Sequence, residues 1–222
     1  MILIHHHLGL GDHIVCNGLV RNLIQKNQIY GIFVKKHNVD NVMFMYKDLK
    51  NLELIPIDGD NNVLEFQNEN IISIGHQKLG ITMSENNCFW DEAFYKQMNI
   101  DFKQRWLSFY YSRDFGSEKM MYNKLNPNDE EFILIHNTDS TGTDRIDYSK
   151  VSEKYKRIFI EKAKTIFDYG LLIAKAKEIH CVDSSFKHLV DSIPSMGKLF
   201  YHKNYKLKIS LEHNHKKNWI II

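Results

Sequence analysis

The chain has 222 residues, 43% of them hydrophobic, which is enough for a packed core in one ordinary domain or two small ones and too apolar for a disordered tail. Lys and Arg number 29 against 27 Asp and Glu, and this near balance provides no strong field for nucleic acid or an anionic membrane. Cys16, Cys88 and Cys181 are odd in number, scattered and without C-x-x-C spacing, which argues against a disulfide framework or a cysteine zinc site and favours a reducing cytoplasm.

The first residues, Met-Ile-Leu-Ile, form a short apolar run with no basic region ahead of a long hydrophobic stretch, and no later run is long enough to cross a bilayer. A soluble protein with at most peripheral membrane contact is expected. His5, His6 and His7 follow that run directly and lead into the turn Gly9-x-Gly11-Asp12; in an extended strand His5 and His7 share one face and His6 points to the other. Beyond Asp12, Val15, Leu19 and Leu23 recur every four residues beside Val20 and Ile24, opposite Asn17, Arg21 and Gln25, which is the pattern of an amphipathic helix. Strands are predicted over 30–36, 52–57 and 70–74, with helices over 39–49 and 89–98. Residues 101–131 are mixed, charged and aromatic, and Asn126-Pro127-Asn128-Asp129 breaks them off. A second series then follows: strands over 132–137 and 156–161, a helix over 166–176, a strand over 178–183 and an amphipathic helix over 184–193. Residues 197–200 supply a possible last strand, and the apolar tail ending in Asn218-Trp219-Ile220-Ile221-Ile222 is expected to dock on the body.

Alternating strands and helices call for parallel sheets flanked by helices. Two of the strand-to-helix turns carry the residues of a ligand site, since open α/β sheets bind ligands beyond the carboxyl ends of their strands, where helix amides face anions. At the first turn Gly9 and Gly11 would let a ligand approach the backbone; at the second, Ser184 and Ser185 add hydroxyls to the amides of the later helix, a setting suited to phosphate. Ordinary N-capping by Asp183 or Ser184 accounts for the same residue types.

The stretch GLGDHIVCNGLVRNL, together with IHCVDSSFKHLVDSI late in the chain, resembles the heptosyltransferase family of glycosyltransferases (family 9 type), here as a shortened relative. In that family a Gly-Asp follows the first strand, and a late strand ends in Asp-Thr-Gly-x-x-His-Leu; this chain has Asp183-Ser184-Ser185-Phe186-Lys187-His188-Leu189, with Ser in place of both Thr and Gly. The resemblance implies an α/β, GT-B-like fold: two small Rossmann-like domains, an acceptor-side domain over 1–115 and a nucleotide-sugar domain with the tail over 116–222, their parallel sheets facing a central cleft. It implies that Asp12 is the catalytic base, that Asp183, Ser184, Ser185 and His188 hold the nucleotide diphosphate and nearby sugar, and that Arg145 grips the phosphates. Gly9, Gly11, His13 and His136 complete the expected substrate contacts, with His13 and His136 as the alternative bases. The implied reaction takes a nucleotide-diphosphate sugar as co-substrate and a glycan or glycolipid as acceptor, with no cofactor and no metal. Two other classes stay open: a nucleotide- or sugar-binding protein without turnover, and a metal hydrolase recruiting His5, His7 and His136 from adjacent strand ends, with His202, His213 and His215 as more distant ligands. Residues 138–155 are too few or too polar for an ordinary crossover helix, and Ser185 places a side chain where phosphate would approach the backbone.

Overall fold

The computed structural model describes residues 1–66, 69–138, 141–203 and 213–222. The chain divides into two compact units, Met1–Ser112 with Leu211–Asn214, and Arg113–Ser210 with His215–Ile222. The late return of the chain to the first unit has no counterpart in the sequence pattern.

In the first unit β1 (Ile2–His5), β2 (Tyr30–Lys35), β3 (Leu52–Ile57) and β4 (Asn70–Ser73) form a parallel sheet in the order β3-β2-β1-β4. Their near-continuous Ile, Leu, Val and Phe content suits strands covered on both faces. Leu3, Leu8, Phe33, Ile57 and Val63 make one apolar cluster of this core. The helix expected after Asp12 is present as α1 (Leu10–Val15) and α2 (Asn17–Leu23), which meet at Cys16 and share helical bonds across it, Cys16 N–H to Asp12 and Val20 N–H to Cys16. α3 (Val39–Tyr46) connects β2 to β3, while α4 (Leu79–Asn86), α5 (Trp90–Gln97) and α6 (Gln104–Leu107) follow β4. The carboxylate of Asp91, in the first turn of α5, is wholly buried with Arg105 of α6; it accepts from that guanidinium and from Asn214, through the backbone N–H at 2.9 Å and the side-chain amide at 3.1 Å.

The second unit opens with α7 (Phe115–Leu125), capped by Asp114, whose carboxylate accepts from Ser117 N–H. β5 (Phe132–His136), β6 (Lys156–Phe159), β7 (Glu178–Cys181), β8 (Lys198–Tyr201) and β9 (Trp219–Ile221) make a second parallel sheet in the order β6-β5-β7-β8-β9. As the polarity of residues 138–155 foretold, no α-helix forms among the described residues between β5 and β6, where a bridge of Thr138 to Asp144 and a 3-10 turn over Tyr148–Lys150 take its place. α8 (Gly170–Lys175) follows a 3-10 turn, and α9 (Ser185–Ser192) follows β7. The tail docks as β9, held by Asp191 of α9, which accepts from the backbone N–H of Lys216 at 3.0 Å and from the Trp219 indole at 2.9 Å. No helix among the described residues is long and apolar enough to cross a membrane.

Candidate active site

In each sheet the strand order reverses beside its first strand, between β1 and β4 and between β5 and β7. Crevices open at the carboxyl ends of strands at such switch points. Each pair ends on a histidine in register with its neighbour, His5 opposite Ser73 and His136 opposite Cys181.

At the first switch point Gly9 is the N-cap of α1 and Asp12 its third residue. The carboxylate turns back on the start of the helix, where the backbone N–H groups of Gly9 and of Asp12 itself favour its charged form. A Cβ on Gly9 would stand 2.5 Å from Asp12 Oδ2, so the space expected for a ligand at Gly9 is filled by this carboxylate. Gly11 lies inside α1. Burial pushes Asp12 up to about 6 against the pull of those amides, which leaves the ionised form predominant at neutral pH.

His7 stands beside Asp12, with its Nδ1 4.0 Å from Oδ1. Its Nε2 accepts from His76 N–H at 3.1 Å, so the neutral ring carries its proton on Nδ1, the nitrogen facing the carboxylate. Gly75, after β4, leaves room for this contact: it adopts φ +82°, and a Cβ there would lie 3.0 Å from His7 Nε2 and 2.7 Å from Phe94. Gly75→Ala is therefore expected to destabilise the fold by about 1–3 kcal/mol and to displace the His7 ring, read by urea denaturation and by the shift of the His7 ring resonances. Gly75 and His76 line a cavity of about 490 Å³ with His5, Ser73 and Lys78. β1 ends at His5, and the rings of His5 and His7 both meet His76, at 4.0 Å and 4.9 Å between centroids.

His6 points the other way and is wholly buried, its Nδ1–H donating to the His7 carbonyl at 2.6 Å. Its ring meets that of His13 edge-on at 4.4 Å. His13 is also wholly buried, neither ring nitrogen has a partner, and burial holds its pKa well below the usual histidine range. One residue past Asp12 on a helix is a turn of about 100° toward the core, so the substrate contact and base role expected of His13 give way to packing.

At the second switch point Ser184 is the N-cap of α9; its hydroxyl accepts from Lys187 N–H at 3.3 Å and donates to the Val182 carbonyl at 3.2 Å. The capping role is thus real. Asp183 is exposed, Ser185 opens the helix half-exposed, and His188 is buried on its inner face. His136 stacks on Phe186 at 5.3 Å with planes 9° apart, its Nδ1 buried without a partner, and burial lowers it to about 4. Arg145 sits in the loop after β5, its backbone N–H donating to Asn137 at 2.8 Å. Sequence reasoning passed over Lys187, which lies 1% exposed with its ammonium 2.9 Å from His215 Nε2 and 4.2 Å from the Tyr201 ring centre. A cation in a helix's first turn runs against the dipole, which is the signal that could have marked it. His5 closes β1 of the first sheet, and His136 closes β5 of the second.

Over its whole length the chain is similar to the glycosyl transferase family 9 structure from Veillonella parvula DSM 2008, covering 85% of it, with a TM-score of 0.53 and 8% identity. The chain has a GT-B-like α/β fold. It also aligns over its whole length with 90% of E. coli ADP-heptose lps heptosyltransferase II, with a TM-score of 0.49 and 11% identity. No family model and no curated protein sequence matches the chain. Each of the two parallel sheets, with its helices, is a Rossmann-like unit.

Proposed function

We propose that the protein is a glycosyltransferase that moves a sugar from a nucleotide-diphosphate donor to a hydroxyl of a glycan or glycolipid acceptor, in the cytoplasm and without metal or cofactor. The reading rests on Asp12, a carboxylate in the first turn of the helix at a sheet switch point, raised by burial to about 6. In a single inverting displacement the acceptor oxygen forms the new bond to the anomeric carbon as the bond to the diphosphate breaks. Asp12 takes the acceptor proton, with His7 Nδ1–H 4.0 Å from its carboxylate. The electron pair of the broken bond leaves on the diphosphate, where Arg145 and the amides opening α9 offset its charge.

A thermal-shift screen against ADP, GDP, UDP and CDP and their sugars tests the reading, because a ligand of the folded state raises the unfolding temperature by mass action. A hit accompanied by sugar transfer supports it; a hit without transfer favours a binding protein. Arg145→Ala is expected to weaken nucleoside-diphosphate binding by roughly 10–100-fold through loss of a charge-assisted contact, measured by calorimetry. Ser184→Ala is expected to cost less affinity, since the α9 amides remain, and about 1 kcal/mol of stability for the lost cap.

A further inference from the structure

We propose that His202 is a positioning residue for the Arg145 loop, acting through a Glu178–His180–His202 chain that fixes the backbone of Asp147. The proposal rests on the reading of Arg145 as the diphosphate grip. Within the loop, Asp144 accepts from the side chains of Asn137 at 2.7 Å and Tyr148 at 2.6 Å and from Ile146 N–H at 3.0 Å, bonds that tie the loop to itself. A polar tie from the loop to the end of another strand is made two residues beyond Arg145, where Asp147 N–H donates to His202 Nδ1 at 3.1 Å, just past β8.

A backbone N–H can only donate, so His202 Nδ1 is unprotonated and the neutral ring carries its hydrogen on Nε2. That hydrogen is donated to His180 Nδ1 at 2.9 Å, which leaves His180 with its own hydrogen on Nε2, facing Glu178 Oε2 at 3.4 Å. Glu178 and His180 alternate onto one face of β7, and the β7–β8 register carries His202 onto that same face. Both rings are buried, and Phe200 lies flat on His180 at 4.4 Å with planes 6° apart. All four ring nitrogens are satisfied in one proton arrangement, in contrast to the unpartnered nitrogens of His6 and His13. Burial lowers both histidines to about 4, so the neutral pair persists at physiological pH. A carboxylate at the start of β7 thereby dictates which nitrogen of His202 is free to receive the loop.

Long-range proton–nitrogen spectra of the full chain at pH 7 are expected to show both rings as Nε2–H tautomers; a protonated Nδ1 on His202 would overturn the proposal. In His202→Asn the side-chain oxygen replaces Nδ1 as acceptor, whereas His202→Leu offers none. The Asn variant should keep slow hydrogen exchange at the Asp147 amide and parental affinity for whichever of ADP, GDP, UDP or CDP binds tightest. The Leu variant should speed that exchange and weaken binding, each by roughly 5–10-fold for one lost hydrogen bond. Parental affinity in His202→Leu beside impaired Arg145→Ala overturns the positioning role. Weakened binding in His202→Leu with parental affinity in Arg145→Ala overturns the reading of Arg145 and supports a role of His202 on another loop group. Should the Leu variant fail to fold, the tautomers and the parent-to-Asn comparison of Asp147 exchange decide the question: a fast-exchanging Asp147 amide in the parent is the overturning result.

Discussion

Asp12→Asn is expected to keep nucleoside-diphosphate affinity while sugar transfer falls by roughly 10²–10⁴-fold, the usual worth of a general base. The amide has nearly the same shape, but it takes no proton. The parent's kcat/KM should rise with pH up to about 6 and flatten above it, following ionisation of the carboxylate, and this limb should vanish in the variant. Stability should move the other way. The folded protein binds a proton at Asp12 more tightly than the unfolded chain does, so the parent loses stability as pH rises from about 4 through 6. Asp12→Asn escapes that loss and should melt at an equal or higher temperature at pH 7, as expected where a site holds a costly group for function. Parental transfer in this variant would remove Asp12 as the base and leave His136 as the next candidate.

Asp91→Ala is expected to destabilise the protein by about 3–5 kcal/mol, measured by urea denaturation. The guanidinium of Arg105 is 1% exposed, and truncating Asp91 leaves that charge in the interior without its carboxylate. The two bonds from Asn214 are lost with it. Replacing both charges with apolar residues, Asp91→Leu with Arg105→Met, should cost far less, because the desolvation penalty goes with them. A loss under about 1 kcal/mol in Asp91→Ala would show that the pair is hydrated in solution.

Strands were the legible part of the chain, since buried parallel strands are dense in Ile, Leu, Val and Phe and all the predicted ones form. α7 was not legible: its buried residues are Glu118 and Tyr122, with Glu118 paired to Arg113, and a carboxylate on the inward face hides the amphipathic period. α4 buries nothing among its described side chains and so has no stripe to read. At the site, Asp12 and the residues opening α9 stood out because turns and caps are local in sequence. His7's proton, Gly75 and His202 did not, because each takes its role from a partner 55–69 residues away or from a backbone angle.

The outermost strands have a consequence for solution behaviour. A sheet margin with unpaired backbone groups invites accretion of further chains. β3 carries Pro56, which has no N–H to offer, and β4 is four residues long. β6 begins with Lys156 and Arg157, and β9 is three residues long and preceded by Lys216-Lys217-Asn218. Ile220 and Ile221 are 46% and 52% exposed on that last strand, the kind of apolar margin that seeds aggregation when long and flat. Its three-residue length gives this margin little backbone on which a cross-β stack could be templated.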